Sequence, residues 1–116
     1  RVGVQAESGP VPKVIKLADP AKDYLRLLAG PPETFSMRSG RVILTPGRSI
    51  GKHSTEDNEE VLVILEGQGE MQIEGYGKLV LNPGVIAYCP PRKAHDVLNT
   101  GSGPLRYVFV VAKAQK

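Results

Sequence analysis

After Pro32 the chain breaks into short extended runs separated by turn residues at close, regular intervals, and this spacing points to an all-β sandwich or barrel. Arg41 to Thr45 is followed by Pro46-Gly47, Val61 to Glu66 by Gly67-Gln68-Gly69, Glu70 to Glu74 by Gly75, and Lys78 to Leu81 by Asn82-Pro83-Gly84. Val85 to Cys89 runs into Pro90-Pro91-Arg92-Lys93, His95 to Asn99 into Thr100-Gly101-Ser102-Gly103, and Leu105 to Ala112 forms the last strand. Helix-period patterns are absent from this region. The run Val61-Leu62-Val63-Ile64-Leu65 does not alternate, so cover is expected on both of its faces.

The first third reads differently. Residues 1–13 contain two prolines and two glycines without periodicity and are expected to form an arm. Asp19 to Gly30 predicts one short helix: Asp19 can cap it, Pro20 fits the first helical position, Gly30 can end it, and Tyr24, Leu27 and Leu28 make an apolar face at i, i+3 and i+4. The remaining length, residues 14–116, suits one domain with one core.

Composition excludes several classes. The net charge of +3 comes from scattered Lys and Arg with no basic tract and no basic-aromatic motif, so nucleic acid is not an expected partner. No apolar run approaches the roughly 20 residues of a membrane-spanning helix. The single cysteine, Cys89, cannot close an internal disulfide, which fits a reducing, cytoplasmic compartment, and its place in a strand reads as a small buried apolar residue.

The chemistry concentrates in GKHSTEDNEE, Gly51 to Glu60, and in a second stretch around His95, the only other histidine. Strand alternation puts His53 and Thr55 on one face, Glu60 with Leu62 and Ile64, and His95 with Val97 and Asn99. Closing a barrel brings such faces together. Two imidazoles and a carboxylate form the donor set of a facial triad, which leaves coordination positions open for water, substrate or oxygen. Glu59 is the alternative carboxylate, and alternation turns outward whichever of the two neighbours is not the ligand. There is no phosphate loop, no G-x-S-x-G elbow and no paired-cysteine motif to compete.

From Gly47, five residues precede His53, one more precedes Thr55, four precede Glu60 and six precede Gly67; from Gly84, five precede Pro90, one precedes Arg92, two precede His95 and three precede Asn99. These two stretches resemble the paired motifs of the cupins, with Thr55 where the family normally has a second histidine and Arg92 where it has glycine. The resemblance implies a small double-stranded β-helix, or RmlC-like jelly-roll barrel, that commonly dimerises. It implies that His53, Glu60 and His95 point into the barrel as ligands of a divalent ion, with iron, manganese, nickel and zinc all suited to the set. Thr55, Arg92 and Asn99 become the expected substrate contacts. Thr55 in place of a fourth ligand leaves two alternatives, a working metal site or a lapsed one.

The function the resemblance implies is a metal-binding barrel with a pocket for a small organic molecule, with metal-dependent, dioxygenase-like oxidoreduction as one form of it. A non-enzymatic small-molecule binding or sensor protein is an alternative, as is a metal-free sugar isomerase or epimerase with a histidine base. A small-molecule ligand and a second copy of the chain are the expected partners.

Overall fold

The computed structural model describes residues 9–18 and 22–115, and among these all regular structure is β. The strands are β1 Tyr24–Ala29, β2 Arg38–Leu44, β3 His53–Ser54, β4 Asn58–Glu66, β5 Gly69–Ile73, β6 Gly77–Leu81, β7 Ile86–Cys89, β8 Ala94–Asn99 and β9 Leu105–Lys113. They form two antiparallel sheets, a five-stranded one in the order β1-β2-β9-β4-β7 and a four-stranded one in the order β3-β8-β5-β6. The seven strands read from the turn spacing are all present, and β1 and β3 are added to them. Among the described residues there is no helix long and apolar enough to cross a membrane.

The expected helix is a correction. Asp19 and Pro20 lie outside the described residues, but Tyr24–Ala29 is extended and pairs antiparallel with β2. The sequence Tyr24-Leu25-Arg26-Leu27 alternates as well as it winds, and here Leu25 and Leu27 are half-buried while Tyr24 and Arg26 are exposed. A register shift between Arg26 and Leu28 then reorients the strand's last residues. A helix this short gains few hydrogen bonds for its nucleation cost, whereas the edge of β2 offers a ready ladder.

The interior is built from alternate residues of facing strands. Leu62 and Ile64 of β4, Met71 of β5, Leu81 of β6, Val97 of β8 and Leu105 of β9 are all buried in one cluster. The Val61–Leu65 run, expected to be covered on both sides, is covered well on one: Leu62 and Ile64 are buried, and Val61, Val63 and Leu65 are half-buried on the outer face. Aligned beside them on β9, Val108 and Val110 are half-buried too.

Arg41 is a fully buried charge on that same outer face. Its guanidinium donates to the Leu17 carbonyl (2.8 Å) and the Lys22 carbonyl (2.7 Å), so it ties the segment before β1 to the sheet. Cys89 is buried as expected, and burial, with the neighbouring Glu60 charge, pushes its thiol up to about 11. It is a packing residue at neutral pH. Tyr88, although a strand residue, is half-exposed, and its hydroxyl donates to Glu59 at 2.8 Å.

Candidate metal centre

Three elements converge at one end of the sandwich. β3 and β8 pair so that His53 lies directly opposite His95, while Glu60 comes from β4 in the other sheet, in register with Cys89 and Val111. The two imidazole rings are 4.3 Å apart, centroid to centroid. Glu60 Oε1 is 2.9 Å from His95 Nε2. One donor atom from each of His53, Glu60 and His95 falls within 4.8 Å of the other two.

The tautomers are set by the backbone. His53 Nδ1 lies 2.7 Å from the Gly51 carbonyl and His95 Nδ1 lies 3.3 Å from the Lys93 carbonyl, and a carbonyl can only accept, so both rings carry hydrogen on Nδ1. Each Nε2 is thereby the ring nitrogen that could coordinate an ion, the arrangement that typically orients a metal-bound histidine. Donors about 2.1 Å from one ion can be no more than about 4.2 Å apart. Donor atoms that already lie within 4.8 Å of one another need draw together by only about half an ångström to reach that span. The residues therefore fit a divalent ion held by two nitrogens and one carboxylate.

Charge balance fits as well. Burial pulls the His95 pKa down, and this is the largest single influence, but the Glu60 hydrogen bond and charge, the Lys93 carbonyl and Asp96 together outweigh it and raise the pKa above the ordinary histidine value. His95 and Glu60 thus form an ion pair that a metal would replace by displacing one proton.

The surrounding groups hold these residues in place. The Asp96 carboxylate accepts from Gly51 N (3.0 Å) and from Val97 N (2.7 Å), so it fixes the loop whose carbonyl orients His53. Thr55 is buried. Its hydroxyl donates to the Pro90 carbonyl (2.8 Å) and accepts from Lys93 N (3.1 Å), which anchors the loop whose carbonyl orients His95. Only one acceptor position remains on Thr55 for a ligand.

The sequence-derived substrate contacts are scattered. Thr55 lines the cavity beside the triad; Arg92 and Asn99 do not. Arg92 has φ near +57°, the left-handed conformation that glycine adopts freely, and its guanidinium reaches Asp57 at 3.6 Å on the exposed rim. Asn99 is buried and fully engaged: Nδ2 donates to the Leu44 carbonyl (2.8 Å) and the Gly103 carbonyl (2.9 Å), and Oδ1 accepts from Gly101 N (2.8 Å).

The cavity itself has a volume of about 440 Å³. His53, Glu60 and His95 lie on one side of it, and Val97, Tyr107, Phe109 and Val111 supply apolar wall. Sequence reasoning missed Arg38 and Tyr24, which also line it. The signal was present: in Arg38-Ser39-Gly40-Arg41-Val42, alternation places Arg38 on the inward face with Val42 once the strand is started three residues earlier.

A family model for the cupin domain matches residues 40–111, more than half of the chain. The chain belongs to the cupin family. Over 111 residues this cupin is 29% identical to the glucose-6-phosphate isomerase of Pyrococcus abyssi, an alignment covering 84% of this chain and 58% of that one. It is 30% identical over 71 residues to the oxalate-binding protein of Thermotoga maritima, covering 61% of this chain and 58% of that one. The cupin therefore spans about half the length of the curated relatives it matches. Among solved structures, a Cupin 2 conserved barrel domain protein from Salinispora arenicola superposes with a TM-score of 0.73 at 22% identity, covering 90% of this chain and 92% of that one. That likeness concerns the fold.

Proposed function

We propose that this cupin holds one divalent metal ion at His53, Glu60 and His95 and offers it to a small organic molecule in the adjoining cavity. The observation that carries this reading is the pairing of both Nδ1 atoms with backbone carbonyls, which turns two Nε2 atoms toward one carboxylate at the cavity wall. Such an ion supplies Lewis-acid polarisation of a bound carbonyl or carboxylate oxygen, and redox chemistry where it is iron or manganese. The chain's own part is to position the donors through Gly51, Lys93, Asp96 and Thr55, to line the pocket with apolar side chains that limit water, and to take up or release a proton at His95.

A second reading, isomerisation of a sugar phosphate, is favoured by the glucose-6-phosphate isomerase relative. His53, Glu60 and His95 are groups lining the cavity that could move a proton between substrate carbons. Both readings use the same three residues, so metal binding is the first property to establish.

Calorimetric titration of the metal-free cupin with Mn²⁺ tests it. One ion per chain is expected, with affinity that rises between about pH 5.5 and pH 8, because the raised pKa of His95 means a proton must leave before the ion can enter. Absence of binding by Mn²⁺, Ni²⁺ and Zn²⁺ at pH 8 would overturn the reading.

A further inference from the structure

The cavity contains one residue with a permanent positive charge, and its place in the sheet indicates what the ligand carries at the end away from the metal centre. Arg38 is the only lysine or arginine among the described residues lining the cavity. It lies in β2 opposite Val111 of β9, and Val111 lies opposite Glu60 of β4, so Arg38 and Glu60 occupy the same row across the five-stranded sheet on its inward face. Two strand spacings put their backbones about 10 Å apart. That is the length of a ligand of several bonds, with the apolar Val111 between its ends and Phe109 in the next inward row.

Arg38 has no side-chain partner among the described residues. No carboxylate among the described residues lies within ion-pair distance of its guanidinium, although Glu56 and Glu60 line the same cavity. Its stem is held rather than loose. It runs against Gly30, a buried glycine with φ near +87°, where a Cβ would come within 3.0 Å of Arg38 Cγ. Gly40 does the same for the neighbouring wall, since a Cβ there would lie 2.9 Å from the rings of both Tyr24 and Phe109, which stack with centroids 6.2 Å apart. Two glycines thus make room for the arginine and for the aromatic pair beside it.

The geometry points to Arg38 as the anion-recognising residue of this cavity, with a ligand that bears a carboxylate or phosphate at one end and a metal-binding oxygen at the other. This inference rests on the proposed metal-assisted use of the cavity for its second half only. A planar guanidinium with paired donors matches either oxyanion, and although Arg38 is exposed such a charge-assisted contact is stronger than a neutral hydrogen bond.

The test is calorimetry of the cupin, metal-free and Mn²⁺-loaded, with three probes: malonate, glycerol 3-phosphate and neutral glycerol. At least one of the two anions is expected to bind and glycerol is not, and which anion binds identifies the oxyanion. Arg38→Gln should weaken that binding by roughly ten- to a hundredfold, and Arg38→Lys should recover part of it, which also shows that the fold survives substitution at this position. Binding of neither anion, or equal binding by Arg38→Gln, overturns the inference. Anion binding that depends on Arg38 in a cupin that takes up no Mn²⁺ supports the inference and rejects the metal reading instead.

Discussion

Glu60→Gln should leave the cupin folded and weaken its affinity for Mn²⁺ by roughly a hundredfold or more, since loss of groups that merely orient a ligand already costs about ten- to a hundredfold. The substitution keeps the shape of the side chain and removes the only negative charge in the donor set of His53, Glu60 and His95. It should also change how the metal-free protein responds to pH. Because the folded-state pKa of His95 is raised, the ion pair stabilises the fold below the ordinary histidine value of about 6.5, and this contribution disappears as pH rises through the elevated folded value. Wild-type metal-free protein should therefore lose stability across that window, and Glu60→Gln should lose much less, because with the Glu60 bond and charge gone burial, which favours neutral His95, is the largest remaining influence. Thermal midpoints of both proteins between pH 5.5 and pH 8.5 check this. Parallel curves, together with unchanged Mn²⁺ affinity, would show that Glu60 has no special relation to His95 or to an ion.

Asn99→Ala should destabilise the fold by about 3 kcal/mol, lowering Tm by roughly 10 °C or more. Three hydrogen bonds to the backbone of Leu44, Gly103 and Gly101 are lost at once, and the bond to Leu44 lies in the buried interior, where no water replaces it. Asn99→Asp should be nearly as costly, since a carboxylate cannot donate to the two carbonyls. Thermal denaturation measures both. A shift of less than about 2 °C, combined with weakened ligand binding, would return Asn99 to the role of substrate contact that its motif position suggested.

The legible and illegible parts of this molecule divide on physical grounds. The strands after Pro32 are legible because glycine and proline turns bound them, and the two cupin-like stretches single out His53, Glu60 and His95 by spacing alone. Tyr24–Ala29 misled because its apolar residues satisfy periods of both 2 and 3.6, and only the free edge of β2 decides between them. The substrate contacts were harder. Motif position identified Arg92 and Asn99, but a side chain's partner depends on loops distant in sequence: Asp57 draws Arg92 to the rim and Gly101 and Gly103 occupy Asn99. Arg38 went unnoticed for the opposite reason. It belongs to no motif, and its importance arises from lying in the same row as Glu60 across three strands, a pairing that no local pattern encodes.

Metal content of untagged protein, measured by elemental analysis beside His53→Ala and His95→Ala variants, tests the central claim most directly. The expected result is close to one divalent ion per chain in the wild type and a sharp loss in both variants, which would place the two histidines in one centre despite Thr55 standing where the family usually has a further ligand. Wild-type protein that remains without metal after reconstitution with iron, manganese, nickel and zinc would contradict it, and would leave His53, Glu60 and His95 as a hydrogen-bonded cluster in the wall of a binding pocket.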